Sequence, residues 1–155
     1  MEYAVNEKPD MVSLASLGPL PEALDPAQLA PLSLAYMGDT VYDLFVRTEL
    51  LENTTLTAHG LHERAAKLVN ARAQAAAFRR IEPMLTGEEL AIFRRGRNSH
   101  IGTVPRSASI MDYRIATGLE ALLGFLYLSG RDGRIRELMR ALLTEAEEGL
   151  NNENE

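Results

Sequence analysis

Two long apolar segments, 32–51 and 109–130, are patterned as helices, and each carries one carboxylate near its middle: Asp39 in LAYMGD and Glu120 in LEALLG. An acid in such a setting costs free energy unless something compensates it. Around Asp39, helical spacing puts Ala35, Tyr36, Tyr42 and Asp43 on the same face, while Leu34, Met37, Val41, Leu44 and Phe45 form a greasier stripe. Ala116, Thr117 and Gly124 flank Glu120 in the same way. Small residues one turn before each acid, together with Gly38 and Gly124, let two helices approach until both carboxylates reach one site. Two such acids repel without a cation between them, so the pair points to a shared divalent ion. The bland alternative, an acid satisfied by arginine, tyrosine or backbone donors, is the stronger reading for either residue taken alone.

The pattern around these segments is helical nearly throughout, which predicts an all-α bundle. Asp25-Pro26 is a start signal ahead of the first apolar run, with Pro31 in its first turn. Thr57 caps a helix over 58–69, and Asn70 caps an alanine-rich one that Glu82-Pro83 stops after Ile81. Thr86, followed by Glu88 and Glu89, opens a short helix running into Arg97. A polar loop over 98–108 follows, and Ser109 with Asp112 resembles a capping box at the head of the Glu120 helix. That helix ends near Gly130, and a last amphipathic helix is expected over 132–148. No alternating strand pattern and no internal repeat is present.

A chain of 155 residues with 46% apolar content makes one domain. Its boundaries are expected at 25–149, with residues 1–24 a mobile N-terminal segment and 150–155 a disordered acidic tail. The sequence has no cysteine, which removes disulfides and thiolate chemistry, and it shows no apolar signal or membrane-length run. A cytoplasmic protein without a membrane partner is the expectation. The net charge of −6 argues against a polyanionic partner, yet Glu145, Glu147, Glu148, Glu153 and Glu155 crowd the end, and without them the remainder is near −1. Positive charge is instead concentrated, with Arg94, Arg95, Arg97, Arg106 and Arg114 set against Asp112 alone in 94–114.

This arginine cluster has two readings, a solvated face or a surface for nucleic-acid phosphates. The second is favoured because the cluster lies in the interval leading into the Glu120 helix. Arg94, Arg95, Arg97, Asn98 and His100 are therefore candidate substrate-binding residues, with Ser99 beside them and Lys67 and Arg72 as weaker additions. Asp43 is either a water-mediated ligand or a solvated acid paired with Arg47, four residues on. His59, His62 and His100 have no spacing that suggests zinc, and Tyr36, Tyr42, Tyr113 and Tyr127 read mainly as packing residues.

Four blocks in order, LSLAYMGDTVYDLFVR at 32–47, LHERAAKLVNARAQA at 61–75, FRRGRNS at 93–99 and YRIATGLEALLGFLYL at 113–128, resemble the ribonuclease III family and its Mini-III subfamily. The resemblance implies a dimeric, all-helical, ribonuclease III-like endonuclease domain. It also implies magnesium-dependent cleavage of double-stranded RNA to 5′-phosphate and 3′-hydroxyl ends. The implied substrate is precursor 23S large-subunit ribosomal RNA, with a ribosomal protein as a candidate assisting partner. Asp39 and Glu120 are the residues carried over as catalytic and metal-holding.

Departures from the larger enzymes of that family narrow the transfer. Those enzymes place acids seven and four residues before the aspartate and three before the glutamate, where this chain has Leu32, Ala35 and Thr117. Too few residues follow Gly130 for the separate RNA-binding domain of larger relatives, so RNA contact is expected from the catalytic domain. Two rivals remain open at this point. One is a non-catalytic RNA-binding or ribosome-assembly module of the same fold, the other a helical protein-interaction domain whose arginines meet an acidic partner.

Overall fold

The computed structural model describes residues 25–99 and 109–152, with side chains as far as Leu143. Six α-helices and no strand occur among the described residues: α1 (Pro31–Asn53), α2 (Ala58–Val69), α3 (Ala71–Ile81), α4 (Gly87–Arg97), α5 (Ile110–Leu128) and α6 (Asp132–Asn152). The all-α expectation holds. The Asp25-Pro26 start signal does not open α1. It opens a separate 3-10 turn, Pro26–Gln28, in which the Asp25 carboxylate accepts from the Ala27 N–H at 3.0 Å. Pro31 then occupies the first position of α1, where its missing N–H costs nothing. At the other end α6 continues past Glu148 to Asn152, so residues 150–152, expected in a disordered tail, are helical. Residues 1–24 and 153–155, on which mobility was expected, lie outside the described residues.

The most apolar helix is the central one. Ile115, Ala116, Gly118, Leu119 and every residue from Ala121 to Leu126 are buried on α5, as a helix greasy on all sides must be. Helices α1, α3, α4 and α6 pack against it. α1 shows the one-sided version, burying Leu34, Val41, Tyr42, Val46 and Leu50. α5 ends in a Schellman motif: Gly130 adopts φ 70°, and the Arg131 N–H reaches the Leu126 carbonyl at 2.9 Å.

α1 and α5 cross backbone to backbone. A Cβ built on Gly38 would lie 1.6 Å from the Glu120 carbonyl oxygen, and one on Gly124 would lie 1.9 Å from that of Leu34. Pairing of Gly38 with Glu120 and of Leu34 with Gly124 makes the crossing antiparallel. α4 meets α5 by the same device, because a Cβ on Gly96 would sit 2.9 Å from Gly118 Cα and 3.2 Å from the Thr117 carbonyl oxygen. The Phe78 and Phe93 rings, stacked at 3.8 Å, join α3 to α4.

The Thr86 capping box forms in full, each partner bonding the other's backbone N–H at 3.2 Å. Only half of the Ser109 box exists: Ser109 Oγ accepts from the Asp112 N–H at 3.0 Å, while the Asp112 carboxylate turns to Arg79 at 3.4 Å. Glu89 is buried and serves two roles. It closes the Thr86 box and takes hydrogen bonds from Arg134 at 2.9 and 3.1 Å, tying α6 to α4.

Candidate active site

The glycine crossing places Asp39 of α1 and Glu120 of α5 on the wall of one open cleft of about 750 Å³. Its remaining walls come from Val69, Asn70, Ala71, Arg72 and Gln74 at the α2–α3 corner, and from Tyr113, Ala116 and Thr117 of α5. Asn70 builds that corner with both ends of its side chain. Its Oδ1 accepts from the Ala73 N–H at 2.9 Å to cap α3, while its Nδ2 donates to the Ala66 and Lys67 carbonyls at 3.2 and 3.1 Å to close α2.

The two acids are not alike. Asp39 is exposed, which corrects the premise that both carboxylates sit in greasy surroundings; Glu120 is the one mostly withdrawn from water. The reason is their angular position: Gly38, not Asp39, faces α5, so the aspartate projects from the edge of the crossing. Burial pushes the Glu120 carboxyl up to about 8, the neighbouring Asp39 charge adds to the rise, and a hydrogen bond from the Gln74 side chain opposes it. Tyr42 is raised to about 12, first by burial and also by Glu120, with Arg80 acting the other way. It therefore remains a phenol and donates to the Leu68 carbonyl at 3.3 Å.

Leu32, Ala35 and Thr117, set above against the additional acids of larger enzymes, all line this cleft. Neutral side chains therefore stand on the cleft wall at all three positions. Asp43 takes the solvated role, pairing with Arg47 at 2.9 Å outside the cleft wall. Tyr36, read as packing, is 78% exposed at the cleft edge.

The substrate-binding candidates divide into three groups. Arg72 lines the cleft, and Lys67 is exposed in the last turn of α2, just before the Asn70 corner. Arg94, Arg95, Arg97 and Asn98 gather at the C-terminal end of α4, which the Gly96 contact presses against α5 one turn before Glu120. Arg94 is exposed there. Arg95 instead donates to the Ala27 and Leu29 carbonyls, both at 3.3 Å, and so straps the segment before α1 to α4. Arg97 bonds Asn98 Oδ1 at 3.1 Å and lies over the Phe93 ring at 5.7 Å. His100 and Arg106 lie outside the described residues.

Sequence reasoning missed Gln74, although a signal existed. Gln74, Phe78 and Ile81 share one face of α3, and a lone amide on an otherwise apolar stripe marks a polar neighbour.

Comparison with known proteins adds three findings. The Ribonuclease III domain family model matches residues 32–131. A Mini-ribonuclease 3 of Clostridium tetani is 42% identical over 84% of this chain and 87% of its own length, and one of Symbiobacterium thermophilum is 42% identical over 81% and 96%. A crystal structure of a Fusobacterium nucleatum protein superposes with a TM-score of 0.71 at 29% identity, covering 77% of this chain and 95% of that one.

Proposed function

The chain belongs to the ribonuclease III family, in its Mini-ribonuclease 3 branch, and is an endoribonuclease; from this we propose that it cleaves double-stranded RNA with magnesium, using Asp39 and Glu120, and matures precursor large-subunit ribosomal RNA. Membership in a family of endoribonucleases favours turnover over the two non-catalytic rivals, which cleavage of duplex RNA discriminates directly. The observation that carries the proposal is the convergence of Asp39 and Glu120 from two helices on one open cleft.

The donor set fits a hard divalent cation. It consists of carboxylate oxygens, and no group of three or more His, Cys, Asp or Glu suited to a metal occurs among the described residues. Magnesium is commonly held by one or two carboxylates with waters and substrate phosphates completing its shell. When bound, it supplies charge neutralisation at phosphorus and a more acidic water. Asp39 and Glu120 would hold the ion. Asp39, the more exposed of the two, would be the nearer to an incoming phosphate, and the more buried Glu120 would contribute its carboxylate from the cleft wall. Replacement of the lost acids by Leu32, Ala35 and Thr117 leaves the wall near the pair neutral, so phosphate oxygens meet no further negative charge there.

Arg72 at the cleft, Arg94 and Arg97 at the end of α4, Lys67, Asn98 and His100 are assigned to the RNA backbone, whose phosphates and 2′-hydroxyls can be met without reading sequence. Exposed Leu32, Tyr36, Leu44, Ile110 and Met111 on α1 and α5 support a homodimer, which would set two sites against the two strands. Water attack at phosphorus with a leaving 3′ oxygen gives 5′-phosphate and 3′-hydroxyl ends. No helix among the described residues is long and apolar enough to cross a membrane; a cytoplasmic setting and a ribosomal protein as assistant are part of the same proposal.

The deciding experiment is cleavage of duplex RNA by the Asp39→Asn variant across a magnesium titration. We expect a folded protein without turnover, and full activity would refute the assignment.

A further inference from the structure

We propose that Gln74 is the positioning residue for Glu120, its side-chain amide fixing the carboxylate in the cleft so that the acid stands ready for a divalent ion. The inference rests on the cation reading of the Asp39–Glu120 pair. Gln74 lies in the first turn of α3, where its backbone N–H donates to the Asn70 carbonyl at 3.0 Å. Its side chain is buried, at 3% exposure, on the face of α3 that also buries Phe78 and Ile81, and it lines the cleft beside Glu120. Glu120 lines the same cleft, and the Gln74 side chain opposes the rise that burial imposes on its carboxyl.

The chemistry of an amide suits this position. A buried polar group without a partner is costly, so an amide on an alanine-rich helix persists where it has a fixed partner. Arginine or lysine would also orient Glu120, but would neutralise it and compete with the ion. Glutamine can hold the carboxyl in place without bringing a positive charge that would compete with the ion. Asn70 braces the arrangement, because it caps the turn of α3 from which Gln74 projects. Groups that orient metal-holding carboxylates in this way typically contribute about 10- to 100-fold to metal affinity.

The test uses the full-length protein stripped of metal. Gln28 and Gln74 are the only glutamines of the chain, so their side-chain NH2 signals in a nitrogen–proton correlation spectrum can be assigned with a single Gln74→Met variant. On titration with magnesium chloride, the Gln74 pair should move together with backbone signals near Asp39 and Glu120, while the exposed Gln28 pair stays. A stationary Gln74 pair alongside shifting signals around the two acids overturns the proposal while leaving the cation reading intact. Absence of any shift around the acids overturns both. In Gln74→Met, calorimetric affinity for manganese, measured without RNA, should fall about 10- to 100-fold. Cleavage should recover toward the wild-type rate at saturating metal, a split that a purely structural defect would not give. Unchanged manganese affinity refutes the role.

Discussion

Replacing Glu120 with glutamine should abolish cleavage and, in the absence of metal, stabilise the fold. The carboxyl is raised from an ordinary 4.5 to about 8, chiefly by burial and then by Asp39. The folded protein therefore holds a proton that the unfolded chain releases. Stability is undiminished below pH 4.5, falls as the pH rises from there to about 8, and levels off above. At about 1.4 kcal/mol per pH unit, the interval from 4.5 to about 8 sets a ceiling of roughly 5 kcal/mol. The cleft opens to water, which screens part of this, so about 2 kcal/mol is the expected effect. Glutamine keeps the shape and loses the titration. Urea unfolding of metal-stripped wild type and Glu120→Gln at several pH values from 4.5 to 8 should show the variant gaining about 2 kcal/mol relative to wild type across that range, roughly 1 M in midpoint. Added magnesium should stabilise the wild type and leave the variant unmoved. Parallel pH profiles for the two proteins would refute the account of Glu120 as a carboxylate held under electrostatic and desolvation pressure.

Other outcomes follow from the packing. Gly124→Ala drives a methyl into the Leu34 carbonyl and should cost about 3 kcal/mol or more by thermal or chemical unfolding; a loss under 1 kcal/mol would mean that the crossing is looser than described. Arg94→Ala should weaken duplex-RNA binding and lower its logarithmic salt slope by about one, and an unchanged slope would place the RNA elsewhere. Arg95→Ala should behave differently, loosening the strap across Ala27 and Leu29, with a lower melting temperature and little change in salt slope. Arg134→Met leaves the Glu89 carboxylate buried without its main donor and should destabilise by about 3 kcal/mol, measurable by urea unfolding at neutral pH.

Much of this arrangement was legible because it depends on local pattern. Thr57, Asn70 and Thr86 cap helices where the sequence placed the caps, and Gly38 and Gly124 permit the close approach that their position beside the acids suggested. What stayed hidden depends on angle and on distant neighbours. A single residue step around α1 decides that Gly38 is covered and Asp39 exposed, and periodicity in an apolar run does not resolve that step. Arg95 looked like its neighbours Arg94 and Arg97 until the chain some 66 residues earlier was brought beside it. Gln74 gained meaning only when α3 was laid against α5, although its place on an apolar stripe was visible throughout.

The crossing of α1 and α5 also bears on how this protein can change. Because main chain rests on main chain at Gly38 and Gly124, the separation of the two acids is indexed by peptide groups and not by the bulk of intervening side chains. Volume-conserving exchanges of leucines and valines elsewhere in the core should therefore disturb the span less than any change at those two glycines. An added carbon at Gly96 or Gly118 acts on the seating of α4, whereas one at Gly38 or Gly124 acts on the span directly. A designer wishing to widen or narrow the span should begin with those two glycines.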